Sequence, residues 1–210
     1  MISSNSLHKS NIVFVFRDKN PNLPENSELT ALFQGERGRG AQMVDDPFMR
    51  MKILDVPQMK IQVALEGNRL RVEDLEARAP EDSIIIEEGV RIFKDLFLNR
   101  QVTFEGFGFN FEIYYQHSDV IRIGDLFNNI SSQPLEIGEG LMDFGWQWTT
   151  ADKNGFKTDG YFLKITAPLE FVIHHNAHFK LREIPEVKEF KKLFESSYQK
   201  THIVAESLKL

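Results

Sequence analysis

Apolar side chains recur at every second position along several short segments of the chain. In residues 59–75 they occupy Ile61, Val63 and Leu65, and the same alternation resumes after Gly67-Asn68. A period of two places these side chains on one face of a strand, and a two-residue turn that begins with glycine favours a type II′ hairpin. The pattern therefore predicts an antiparallel β-hairpin over residues 59–75.

A longer alternation covers residues 101–116 and predicts a half-buried antiparallel strand. Its central part, residues 105–112, is similar to the RNP1 octamer of RNA-recognition motifs in its alternating glycines and phenylalanines. Glu105 and Glu112 stand where that octamer has a basic and an aromatic residue. We therefore interpret the aromatic side of the strand as part of a core. Its apolar positions are Phe107, Phe109, Phe111, Ile113 and Tyr115.

Two segments have the three- and four-residue spacing of amphipathic helices. The first follows Pro80 and runs to about Leu98, and the second follows Pro185 and continues to the end of the chain. We also predict a short helix over residues 120–130 and a loop over residues 131–140. The apolar stripe of the long C-terminal helix is formed by Val187, Phe190, Phe194, Tyr198, Thr201, Ala205 and Leu208.

The remaining segments predict further strands and loops. Residues 11–17 are typical of a buried strand, and residues 142–148 and 161–167 are typical of a second hairpin. Residues 35–57 are expected to be mostly loop, with an edge strand near residues 49–54. A turn at Asn176-Ala177 is expected to fold residues 169–173 back onto residues 179–181.

Strands arranged in meanders with a few helices between them indicate the α+β class. We predict antiparallel meander sheet(s) with two or three helices, one of them the long C-terminal helix. The sequence shows no internal repeat and no linker. The predicted organisation is a flexible tail over residues 1–10 and a single α+β domain over residues 11–210.

Composition narrows the functional classes. The chain has 210 residues, 41% of them hydrophobic, and no cysteine, which excludes disulfides, thiolate nucleophiles and zinc ribbons. The first residues lack the features of a signal peptide, and no apolar run reaches the length of a membrane span. We therefore expect a cytoplasmic protein that does not enter the membrane.

The charge distribution bears on the partner. The net charge is −6, and residues 61–160 carry 18 acidic and 9 basic side chains. Nucleic-acid binding draws its affinity from basic side chains that displace counterions from phosphates. This acidic central block therefore argues against nucleic acid as the main partner, and it fits better with a basic partner or with docking of the two ends of the chain on the middle block.

Aromatic side chains are unusually frequent, with 18 phenylalanines, 2 tryptophans and 4 tyrosines. We expect more rings than one core can bury, so that some of them form a pocket or a subunit interface. Phe144, Trp146 and Trp148 alternate on one strand; they belong to the core or, as the alternative, are candidates for a partner- or ligand-binding surface. Arg37 and Arg39, in a glycine-rich stretch, are further candidates for contacts with an acidic partner or with the acidic middle block of this chain.

Histidines cluster only near the predicted turn at Asn176-Ala177. Such a turn would place His175 and His178 opposite each other, with Cβ atoms about 5 Å apart, close enough to share a metal ion. A polar hairpin tip explains the same cluster without a metal. No third ligand is fixed locally.

No catalytic signature is visible, and no cofactor is expected. The leading hypothesis is a non-catalytic protein-interaction or assembly domain that forms a homo-oligomer through aromatic sheet surface and the terminal helix. The first alternative is a small-molecule-binding protein or enzyme with an aromatic-lined pocket. The second alternative is a metal-binding protein that uses the histidine hairpin.

Overall fold

The computed structural model describes residues 1–17, 24–100, 102–120 and 144–208. Within these ranges the α+β prediction is confirmed, because antiparallel strands form one sheet and helices accompany it. In chain order the elements are β1 (Ile2–Phe16), α1 (Asn26–Ala31), a 3₁₀ turn (Gly35–Gly38), β2 (Gln42–Asp46), β3 (Met51–Val56), β4 (Ile61–Glu66), β5 (Arg69–Asp74), α2 (Ile85–Phe97), β6 (Phe104–His117), β7 (Phe144–Ala151), β8 (Lys157–Ala167), β9 (Glu170–Phe179) and α3 (Val187–Ser207). The helix predicted over residues 120–130 and the loop over residues 131–140 lie almost wholly outside the described residues.

The sheet has nine described strands in the order β2-β3-β4-β5-β1-β6-β9-β8-β7. The two longest strands, β1 and β6, pair at its centre, and a meander extends from each of them towards one edge. Each meander leads into a helix, α2 after β5 and α3 after β9. The described elements thus form two halves of similar topology, a repeat that the sequence does not reveal.

The described helices pack against one face of the sheet. Leu29 of α1, Val90 of α2 and Phe194 of α3 all belong to one continuous hydrophobic core. On β6, Phe109 lies 5.2 Å from Phe194 between ring centroids, and Phe107 lies 4.4 Å from Phe190. The aromatic stripe of this strand therefore lies in the core, as predicted.

The phenylalanines concentrate inside this single core. Twelve of them are buried, and the strongly exposed rings among the described residues are Phe48, Phe156 and Phe162. The aromatic excess expected at the surface is therefore mostly absorbed by the interface between the sheet and the helices.

Two local predictions are wrong for the same reason. Residues 1–10 are not a flexible tail, because β1 begins at Ile2 and pairs with β6 along its length. The turn expected at Asn176-Ala177 does not form, because β9 continues through these residues and pairs with β6 on one side and β8 on the other. Backbone hydrogen bonds to neighbouring strands decide both cases, and local sequence does not encode those neighbours.

None of the helices in the described part of the chain combines the length and apolar character needed to cross a lipid bilayer.

Candidate functional site

The predicted tryptophan surface lies on the edge strand β7. Phe144 pairs through its backbone with Ile165. The Trp146 and Trp148 rings are half-buried and lie 5.2 Å apart between centroids. Trp148 also stacks on Tyr161 of β8 and contacts the core. Trp148 therefore extends the core towards the sheet edge, and Trp146 covers it.

The two candidate arginines lie in and beside the 3₁₀ turn and are both partly exposed. Arg37 forms an ion pair with Glu88 of α2 and thereby ties the turn to that helix. Arg39 lies 3.4 Å from Glu36 in an exposed pair. The 3₁₀ turn precedes β2 at one edge of the sheet, whereas the tryptophans lie on β7 at the other edge. The predicted binding residues therefore do not form one site.

His175 and His178 do not face each other. They lie three residues apart on the continuous strand β9, where successive side chains point to opposite faces. His175 points towards α3, and His178 points to the face without described helices. One ion cannot bridge the two rings, and the described residues contain no group of three His, Asp or Glu side chains able to hold a metal.

His175 instead belongs to a buried network between the sheet and α3. Its Nε2 lies 3.0 Å from an Asp159 carboxylate oxygen, and its Nδ1 lies 2.7 Å from the Thr201 hydroxyl. Lys200 donates a 2.5 Å hydrogen bond to the other carboxylate oxygen of Asp159, and Lys157 lies 3.4 Å from the first. The network joins β8, β9 and α3.

Electrostatics fixes the charge of Asp159. Burial alone would raise the pKa of this carboxyl, but hydrogen bonds from His175 and Lys200 and the charge of Lys157 outweigh burial and lower the pKa to about 2. Burial lowers the pKa of His175, and the hydrogen bond with Asp159 opposes that shift. At neutral pH the network therefore contains a carboxylate and a neutral imidazole.

The order hydroxyl, imidazole and carboxylate matches that of a hydrolase triad. Thr201, however, has no exposed surface, and its hydroxyl also lies 3.2 Å from the Ser197 carbonyl oxygen. A nucleophile must reach its substrate, so we interpret these three residues as a structural network that fastens α3 to the sheet.

The opposite face of the sheet carries a row of three asparagines. Asn11, Asn110 and Asn176 are direct neighbours across β1, β6 and β9. The Asn176 side-chain amide donates a 2.5 Å hydrogen bond to the Asn110 side-chain oxygen. The Asn110 side-chain amide in turn donates a 2.7 Å hydrogen bond to the Asn11 side-chain oxygen. We call this row the asparagine ladder. Their immediate neighbours in sequence point into the core.

The ladder borders a cleft of about 360 Å³. The next residue in the row, on β8, is Gly160, whose missing side chain leaves the end of the ladder open. A Cβ added there would find no heavy atom nearer than the Asn176 carbonyl oxygen at 4.0 Å. Glycine therefore provides space in the cleft.

One wall of the cleft combines charge with an aromatic ring. Glu112 of β6 lies 3.2 Å from Nδ1 of His174 on β9. The His174 ring in turn lies 5.7 Å from the ring of Phe162, which is 37% exposed. Lys9 and Gln147 complete the polar lining. The cleft thus offers amide, carboxylate and ammonium groups beside one apolar platform.

The pattern of the sequence alone does not reveal this cleft. The available signal was asparagine within strands, where that residue is disfavoured. Asn110 interrupts an aromatic segment, Asn11 directly precedes the apolar run Ile12–Phe16, and Asn176 lies among histidines and apolar residues of β9. Their meeting depends on strand order, because 99 and 66 residues separate the bonded pairs.

Comparison with known proteins gives little further information. No family model matches the chain, and no curated protein matches it. Among solved structures, the chain is similar to Methanococcus jannaschii TBP, with a TM-score of 0.38 and 11% sequence identity over 94% of this chain and 99% of that chain. A likeness at this level supports no functional inference.

Proposed function

We propose that this chain is a non-catalytic binding protein whose cleft, on the sheet face that carries none of the described helices, receives a neutral polar ligand with one flat apolar face, such as a sugar ring or a nucleoside. The observation that carries the proposal is the asparagine ladder and its open end at Gly160. The proposal keeps the hypothesis of a binding protein and places the site on the polar face rather than on the tryptophans.

The asparagine ladder has side-chain donors and acceptors that its own hydrogen bonds do not use. Each side-chain amide has two N–H donors and an oxygen with two lone pairs, and the bonds within the ladder use a minority of these. Asn176, the last member, is exposed beside the cleft. A ligand that presents both donors and acceptors, as hydroxyl groups and base edges do, can bind there.

The charges favour a neutral ligand. Lys9 lies 3.1 Å from Glu73, and Glu112 lies 3.2 Å from His174, so each charged group of the lining already has a polar partner. An ionic ligand would have to displace one of these partners. Phe162 adds a partly exposed ring on which a flat ligand can stack.

The test uses Gly160→Tyr, which fills the cleft at a position where the backbone accepts a Cβ. Thr166→Tyr adds the same side chain further along the same face of β8 and serves as the control. Thermal unfolding is measured with a panel of neutral monosaccharides and nucleosides as probes, because a ligand of the folded state raises the midpoint.

We expect at least one probe to raise the midpoint of the wild-type protein and of Thr166→Tyr but not that of Gly160→Tyr. If no probe stabilises the wild-type protein, or if Gly160→Tyr responds as the wild-type protein does, the cleft is not the binding site.

A further inference from the structure

The β2–β3 hairpin carries an apolar tip that points away from the core. Phe48 is fully exposed, Met49 is 69% exposed, and Val44 on β2 is 55% exposed. Isolated apolar residues are common on protein surfaces, but three exposed apolar residues on one hairpin, one of them a phenylalanine, make it a candidate interaction site. Asp45 and Asp46 lie between Val44 and Phe48, and we call these five residues the hairpin tip.

A groove near the C-terminal end of α2 is lined by apolar and basic side chains, which complement the apolar and acidic side chains of the hairpin tip. Its volume is about 340 Å³, and its apolar lining includes Phe97 at the end of α2, Leu98 directly after it, and Phe104 at the start of β6. The lining also includes the basic side chains of Lys94 and Arg182, the acidic Glu183, and Arg100, which is paired with Glu28. We call it the α2 groove.

We propose that the hairpin tip of one molecule docks in the α2 groove of a second copy of this chain. The exposed phenylalanine would enter the apolar groove, while Asp45 and Asp46 would face its basic rim. Aromatic anchors that fill pockets dominate the energy of interfaces, and opposite charges around them orient the partners.

The hairpin tip cannot reach the groove of its own molecule. Both features lie at the same end of the sheet. Met51, next to the tip, pairs with Glu66, which pairs with Arg69. Arg69 pairs with Val15, and Val15 pairs with Gly106 near the start of β6. Five strand spacings separate β2 from β6, about 24 Å at roughly 4.8 Å each. The hydrogen-bonded sheet holds this distance fixed.

The same arrangement suits a closed dimer. A two-fold axis normal to the sheet, midway between tip and groove at this end, would place each tip against the other molecule's groove. Both contacts then form together, as in an isologous interface. The proposal therefore predicts a dimer rather than a growing filament.

The test is sedimentation velocity of the full chain across a range of concentrations. Phe48→Ala removes the anchor from a fully exposed position, so it should leave folding intact. Leu169→Ala removes an exposed apolar side chain at the opposite end of the sheet and is the matched control. Arg182→Glu reverses one charge on the rim of the groove.

We expect a monomer–dimer equilibrium that Phe48→Ala weakens by at least about tenfold, as for an interface hot spot. Arg182→Glu should weaken it as well, and Leu169→Ala should leave it unchanged. A monomer at every concentration, a filament, or a dimer that Phe48→Ala does not affect would overturn the proposal. Binding of the tip to lipid vesicles without dimerisation would overturn it too.

Discussion

The His175 ring and the Asp159 carboxylate lie 3.0 Å apart in the interior of the protein, where both side chains are almost completely buried. Two lysines at the margin, Lys157 and Lys200, approach the same carboxylate. This buried ionic group lies where α3 meets β8 and β9, so the attachment of α3 should depend on the charge of Asp159.

The Asp159→Asn variant should reveal that dependence in how the free energy of unfolding changes with pH. The folded-state pKa of Asp159 is lowered to about 2 from an ordinary value of 3.8. A lowered carboxyl pKa stabilises the fold above the unfolded-state value, and this stabilisation disappears as the pH falls through the folded-state value. We expect the wild-type protein to exceed Asp159→Asn in unfolding free energy by about 2 kcal/mol at neutral pH.

Urea unfolding at successive pH values measures this difference. It should shrink as the pH falls from about 4 to about 2, because the wild-type carboxyl then also becomes protonated. A difference that stays constant over this range would show that the charge of Asp159 does not contribute.

Thr201→Val should destabilise the protein by about 1–3 kcal/mol. Valine has nearly the same shape as threonine but cannot donate a hydrogen bond to the buried Nδ1 of His175. Thr149→Val, on an exposed part of β7, is the control and should change stability by less than about 0.5 kcal/mol. Equal effects in urea unfolding would contradict the assigned role of the Thr201 hydroxyl.

Replacement by alanine should change the stability of the protein differently at two glycines of the sheet. A Cβ at Gly106 would lie 2.2 Å from the Phe179 carbonyl oxygen, so the backbone must move and Gly106→Ala should cost about 1–3 kcal/mol. At Gly160 the nearest atom is 4.0 Å away. Gly160→Ala should therefore be neutral or stabilising, since alanine restricts the unfolded chain. Thermal unfolding of both variants tests the contrast.

Asn110→Ala should break the asparagine ladder at its centre. Both hydrogen bonds of the ladder pass through Asn110, and Asn11 is almost completely buried, so we expect a loss of about 1–3 kcal/mol. Binding of any probe that stabilises the wild-type protein should weaken as well. Asn154→Ala, in the exposed turn between β7 and β8, should change neither quantity. Urea unfolding and titration with that probe provide the measurements.

Strands and helices with strong local signals could be predicted from the sequence. The hairpin over residues 59–75 corresponds to β4 and β5, and Gly67 has the positive φ of 59° that its turn requires. Apolar spacing likewise located α2 and α3. In the segment 35–57, by contrast, the sequence indicated one edge strand where the structure forms both β2 and β3.

The candidate cleft could not be predicted, because its residues come from distant parts of the chain. Asn11 and Asn110 become neighbours only when β1 and β6 pair at the centre of the sheet. His175 and His178 were expected to share a turn, but pairing of β9 on both sides keeps the strand straight and separates them.

The sequence by itself determined which segments alternate, which have helical spacing and which residues supply the core, since these properties depend on side chains a few positions apart. The tertiary structure decided strand order, the continuity of β1 and β9, and hence which polar side chains meet on the face opposite the described helices. These features depend on backbone hydrogen bonds between distant strands, and a strand's own side chains do not specify its neighbours.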